Sequence, residues 1–224
     1  MPATPLPAAP LATVGIVSTA PTGAASALEL DSATGAAVSV HTALVVRDDR
    51  LNVLADHRAS VTGTLLEARR PGPSGRLITL QALGRGGWHT LASARTGTRG
   101  RFRLSYTPRR VGSKLVRLRF AGVPSERASH RRLGRLNVYR LAEASWYGGG
   151  GSLACGGWLT SATMGVANKT LPCGTLVTLR YDGRIVRVPV VDRGPYVEGR
   201  EFDLTEATKQ ALGFGGVGEV WSTS

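Results

Sequence analysis

Short runs of apolar residues, separated at regular intervals by glycine- and proline-rich turns, fill the stretch from Val38 to Arg140, and this rhythm constrains the fold more than any other feature. The turns are Pro71-Gly72-Pro73-Ser74-Gly75, Gly84-Arg85-Gly86-Gly87, Thr96-Gly97-Thr98-Arg99-Gly100 and Pro108-Arg109-Arg110-Val111-Gly112. Strands are expected over residues 59–66, 77–82, 88–94, 101–106, 116–120 and 136–139. Phe102, Leu104 and Tyr106, then Val116, Leu118 and Phe120, alternate with arginines, the period of a strand with one face in a core and the other in water. Such spacing predicts an antiparallel β-sandwich.

The pattern over 38–140 is similar to the immunoglobulin-like modules of extracellular bacterial proteins. Ser125–Arg132 reads as a polar loop before the last sandwich strand, and Leu141-Ala142-Glu143 as the junction. Beyond it, Gly148–Ser152 is flexible in composition, and residues 175–181 and 184–190 are strands joined by Asp182-Gly183, the signature of a type I′ hairpin. Both faces of these two strands look apolar, which in about eighty residues suggests a small closed barrel. A short helix is expected to start at Asp203 or Thr205, to bury Leu204, Ala207, Ala211 and Leu212, and to end at Gly213. The fold class is all-β, divided as 1–37, 38–140 and 141–224.

Lys and Arg number 28 against 15 Asp and Glu. Residues 1–139 carry 20 of the basic and 7 of the acidic side chains, so the excess belongs to the sandwich. An anionic partner such as a wall polymer is one reading, and a solvated sheet face is the other. No nucleic-acid recognition motif accompanies the arginines. The segment Leu11–Val17 followed by Ala25-Ser26-Ala27 resembles the apolar core and cleavage site of a secretory signal, pointing to a secreted or wall-associated protein. No apolar run is long enough for a transmembrane helix.

Cys155 and Cys173 are the two cysteines, and export would join them. All four histidines (His41, His57, His89 and His130) precede residue 141, so neither a zinc site nor a Cys-His nucleophile is expected in the second module, and no metal or cofactor is called for.

Asp192 and Asp203 flank one loop, Val191–Thr205, which turns through Gly194-Pro195. Two acids held by one loop are suited to acid-base work on a sugar or ester. Taken as structural residues, Asp203 with Glu206 would form a capping box, and Asp192 would brace the turn or pair with Arg193 or Arg200. Ala144-Ser145-Trp146-Tyr147-Gly148, Leu171-Pro172-Cys173-Gly174-Thr175, Val191–Tyr196 and Phe202-Asp203-Leu204-Thr205 together resemble the rare lipoprotein A-like family in order and spacing. The resemblance implies a six-stranded double-psi β-barrel with one or two short helices, a glycan groove and peptidoglycan as partner. It makes Asp203 the general acid and Asp192 its companion in a lytic transglycosylase.

Two positions depart from the family. Asn168 stands where many relatives have His, and Gly157-Trp158 where many have Glu. An amide can bond a sugar but cannot carry a proton. The resemblance therefore leaves room for a non-catalytic wall-binding or expansin-like module, or an interaction domain, beside the enzyme. Asn168, Arg193, Tyr196, Tyr147 and Trp158 are the candidate substrate-binding residues, with Tyr196 expected exposed, Trp146 in the core, and Glu198 and Glu201 solvated.

Overall fold

The computed structural model describes residues 39–224, so the signal-like segment expected over 1–37 lies outside the described residues. The first half comprises β1 (Thr42–Arg50), β2 (Asn52–Leu54), β3 (Ala59–Glu67), β4 (Arg70–Pro71), β5 (Leu77–Gly84), β6 (Gly87–Arg95), β7 (Arg101–Tyr106) and β8 (Gly112–Phe120). After β9 (Ser129–Tyr147) come β10 (Gly151–Ser152), β11 (Trp158–Leu159), β12 (Val166–Ala167), β13 (Leu176–Tyr181), β14 (Arg184–Asp192), β15 (Phe202–Thr205), α1 (Glu206–Leu212) and β16 (Gly218–Ser222).

The first half is the expected antiparallel sandwich. One sheet holds β1, β3, β7 and the short β4, the other β6, β5, β8, β9 and β2. Val61, Leu65, Phe102 and Leu104 of the first face Ile78, Leu80, Val116 and Leu118 of the second in one buried core. Gly63 makes room within its own sheet, since a Cβ there would lie 2.3 Å from the Val45 carbonyl oxygen of β1 and 2.6 Å from the Phe102 ring of β7.

The polar loop expected over 125–132 is shorter than its composition suggests. Ser129–Arg132 already belong to β9, paired with Phe120–Arg117 of β8. Their side chains face water, so backbone pairing rather than apolar alternation makes them a strand. Glu126 closes the loop, buried and gripped by the Arg76 guanidinium, whose Nε donates to Oε1 at 2.8 Å. That bond, and then the carboxylate charge, raise the Arg76 pKa against the opposing pull of burial.

Residues 141–143, expected as the junction, interrupt nothing. β9 runs for 19 residues, pairing with β8 through Val138 and with β16 from Arg140 to Ala144. Where it changes partners, Tyr139 is fully buried and its hydroxyl donates to Asn52 Oδ1 at 2.9 Å. Burial raises this phenol to about 12. An unfolded tyrosine ionises near pH ~10, so the contribution of Tyr139 is whole below that and is lost above it, at about 1.4 kcal/mol per pH unit, until the folded phenol also ionises. Urea midpoints taken between pH 9 and 12 are expected to fall less steeply in Tyr139→Phe than in wild type.

The second half is a closed ring of six strands, in the order β9, β16, β13, β14, β12, β15 and back to β9. β9–β15 and β12–β14 are parallel and the other neighbours antiparallel. Val177, Leu179, Val188, Val190, Phe202, Leu204 and Val220 fill a core separate from that of the sandwich. The two hairpin strands are apolar on both faces only in sequence: Leu176 and Ile185 are exposed, so one face looks outward. Asp182 and Gly183 both take positive φ, as the type I′ turn requires. α1 begins after Thr205 and ends at a left-handed Gly213, burying Leu212 and Thr208, while Ala211 stays exposed and Leu204 lies in β15. Among the described residues no helix is long and apolar enough to cross a membrane.

Candidate functional site

The ring's pairing brings the candidate residues into one row. Ser145 of β9 pairs with Asp203 of β15, Asp203 with Ala167 of β12, and Ala167 with Asp192 of β14. Across a bulge between Val166 and Ala167, two aspartates separated by eleven positions in sequence thus lie two strands apart, roughly 10 Å at the backbone, and both charges act on the Tyr147 hydroxyl. The buried β12 is the spacer between them.

Asp203 is not a helix cap. It lies in β15, half-buried, and its Oδ1 accepts the Ser145 hydroxyl at 2.6 Å. Thr205 precedes α1 without making a side-chain cap bond, because its hydroxyl is committed elsewhere. With that of Thr208 it bonds both the N–H and the carbonyl of Gly165, at 2.9 to 3.2 Å. A Cβ at Gly165 would fall 2.4 Å from the Val191 side chain, so this glycine lets β12 seat against the strand that delivers Asp192.

Asp192 is held more firmly. Its Oδ1 accepts the backbone N–H groups of Ala154 and Arg193, each at 2.8 Å, and it forms no ion pair. Tyr147 stands near both acids, half-buried, its hydroxyl turned toward Asp192 but outside full hydrogen-bond geometry with any group. Burial pushes its pKa well above the usual phenol range, and the nearby charges of Asp192 and then Asp203 push it further. A buried hydroxyl left unpaired costs free energy. Tyr147→Phe is therefore expected to raise stability by about 1 kcal/mol, read as a higher urea midpoint with an unchanged slope. A lower midpoint would show that the hydroxyl is satisfied in solution.

Several expected substrate contacts are instead engaged in the fold. Asn168 is buried. Its Nδ2 donates to the Glu201 carbonyl at 2.9 Å, and its Oδ1 accepts from the N–H groups of Thr170 and Leu171 at 3.0 and 2.8 Å. Arg193 donates through Nη1 to the carbonyls of Asn168 and Leu171, both at 2.9 Å, and through Nη2 to Cys173 Sγ at 3.1 Å. Both residues brace the segment that follows β12. Glu201, expected to be solvated, pairs both oxygens with Arg140 at 2.8 and 2.5 Å across 61 positions of sequence. Cys155 and Cys173 form the expected disulfide.

The aromatic residues divide differently. Tyr196 is 83% exposed, as expected, and Trp158 is 65% exposed. A Cβ on Gly194 would lie 3.8 Å from the Tyr196 ring and 3.9 Å from the Ala167 side chain, so that ring stands near the row of acids. Trp146, expected in the core, is 40% exposed, with the Lys209 ammonium 3.8 Å from its ring centroid. Pairing sets Trp146 opposite the buried Leu204, on the face of Ala144, but next to the end of β9, where Lys209 covers its ring and leaves it part-exposed. No signal within the Ala-Ser-Trp-Tyr stretch itself distinguishes the two outcomes.

Residues 141–221 match the protein family described as Lytic transglycolase. Over 80 residues the chain is 44% identical to "Probable endolytic peptidoglycan transglycosylase RlpA" of Aquifex aeolicus (strain VF5), covering 34% of this chain and 35% of that protein. A protein of the same name from Synechocystis sp. (strain ATCC 27184 / PCC 6803 / Kazusa) is 39% identical over 84 residues, which are 34% of this chain and 26% of the relative. The chain thus spans about a third or less of the length of these curated relatives. Among solved structures, Streptomyces papain inhibitor (SPI) is 29% identical, covering 37% of this chain and 91% of its own, at a TM-score of 0.31, too loose an overlap to carry an argument. With six strands closed into a ring, the four motifs gathered on it and the family match over the same stretch, residues 141–221 are a rare lipoprotein A-like double-psi β-barrel.

Proposed function

We propose that the barrel binds glycan strands of peptidoglycan and cleaves them by lytic transglycosylation, with Asp203 as general acid, in a protein exported to the cell wall. The observation that carries this reading is the row itself: Asp203, half-buried on Ser145, faces Tyr147 and Asp192 on a surface flanked by the exposed Tyr196. In the reaction, protonated Asp203 gives its proton to the glycosidic oxygen as the bond to C1 breaks. The muramyl 6-hydroxyl attacks C1, forming a 1,6-anhydro ring, and its proton passes to the carboxylate. No water enters, so one carboxyl serves both steps and Asp192 need only shape the site. Tyr196 and Trp158 offer faces on which sugar rings stack.

A second reading, wall binding without cleavage, is favoured by Asn168, whose amide is bonded into the fold at the position where many relatives carry His. Incubating the full chain with purified sacculi separates the two. Mass spectrometry of the soluble fraction is expected to find anhydromuramyl-ended fragments. Sedimentation of the protein with sacculi and no such fragments would identify a binder, and the absence of both fragments and sedimentation would remove the glycan reading.

A further inference from the structure

A cavity of about 790 Å³ lies not at the aspartates but between sandwich and barrel. Arg50, Arg58 and Arg103 reach it from the sandwich, and Arg180 from strand β13 of the barrel. Two acids, Asp48 and Asp49, share the lining. None of these six forms an ion pair: the ion pairs among the described residues are Arg76–Glu126 and Arg140–Glu201. Guanidinium groups gathered around one cavity repel each other and focus a positive potential within it.

Aromatic rings form the wall behind Arg180. Its guanidinium lies 4.7 Å from the Trp221 ring centroid, and Trp221 packs against Tyr139 at 5.7 Å. Arg180 Nε is shut off from solvent and has no hydrogen-bond partner. Tyr139 and Asn137 both donate to Asn52 Oδ1, fixing a further lining residue. Nothing in the fold neutralises the side chain that this stack orients.

From this geometry we infer that the junction cleft is a binding site for a phosphate-bearing polyol. Arginine forks match phosphate oxygens in pairs, which makes phosphate the favoured anion. The cavity has the volume of a site for a drug-sized ligand, so the phosphate arrives on a larger body. Asp48 and Asp49 accept hydrogen bonds from hydroxyls and repel a densely charged polyanion, so the ligand alternates charge with hydroxyl groups. The site needs both halves of the protein, because Arg180 and Trp221 come from the barrel and the other arginines from the sandwich. It stands independently of the glycan reading.

Calorimetric titration of the full chain tests the assignment, using glycerol 3-phosphate, oligo(glycerol phosphate) and uncharged oligoglycerol at low salt. Saturable binding of a phosphate probe is expected, weakened at least tenfold by Arg180→Gln and by Arg103→Gln, with no binding of oligoglycerol. Tighter binding of the oligomer than of the monomer would assign the site to a phosphodiester polymer, and equal binding to a free polyol phosphate. Should Arg180→Gln fail to fold, Arg58→Gln and Arg103→Gln together, both on the exposed side of the sandwich, make the same test. Absence of saturable binding to either phosphate probe, equal affinity in the variants, or equal binding of oligoglycerol would overturn the proposal.

Discussion

Asp203→Asn is expected to lower the yield of anhydromuramyl fragments by about a hundredfold to ten-thousandfold, the contribution usual for a positioned general acid, while the protein still folds and sediments with sacculi. An asparagine has the same shape and keeps an oxygen able to accept the Ser145 hydroxyl, so the 2.6 Å bond between β9 and β15 can persist. Phe202 and Leu204, which anchor β15 in the core, are untouched. What disappears is the proton. Asp192→Asn also keeps an acceptor for the amides of Ala154 and Arg193, and its loss of yield should be the smaller of the two. Equal yields from Asp203→Asn and wild type, measured on the same sacculi, would move the acid elsewhere.

Removing the disulfide, by reduction or as Cys155→Ser with Cys173→Ser, is expected to cost about 3 kcal/mol. The bond closes a loop of 18 residues, and the chain-entropy model assigns roughly that amount to its restraint on the unfolded chain. In a domain of this size the loss appears as a fall in Tm of roughly 6–12 °C. The loop carries β11 and β12, and Ala154, one residue before the first cysteine, holds Asp192. Arg193 touches the second cysteine through Nη2. Loss of the bond should therefore slow product formation at temperatures where the protein is still folded. Unchanged Tm in the oxidised and reduced protein, followed by circular dichroism, would refute the stability argument.

Most sandwich strands could be read from the chain because each places alternate apolar residues in a single core, as with Phe102 and Leu104 or Val116 and Leu118. β1 escaped that reading: of its nine residues only Leu44 is buried, so backbone pairing with β3 holds it and leaves little apolar signature. The Asp-Gly turn and the left-handed Gly213 were legible because their chemistry is local. Placement of the site residues depended on partners far away. Asn168 and Glu201 look like free polar groups until the fold sets one against the Glu201 carbonyl and the other against Arg140. Asp203 next to Glu206 has the spacing of a capping box, but parallel pairing with β9 keeps it extended and turns it toward Ser145. Trp146 looks like core by composition and has the register of a core residue, yet it lies next to the end of β9 and stays part-exposed under Lys209.

β9 is one ribbon sewn into two cores, and this sets a rule for anyone who would recombine the halves. Adding a single residue near Arg140 would invert the pleat on one side of the seam, turning Ala142 and Ala144 outward or Leu136 and Val138 away from their neighbours. Grafts at this seam are therefore tolerated in steps of two, and the halves change places as a spliced plank rather than as beads on a thread.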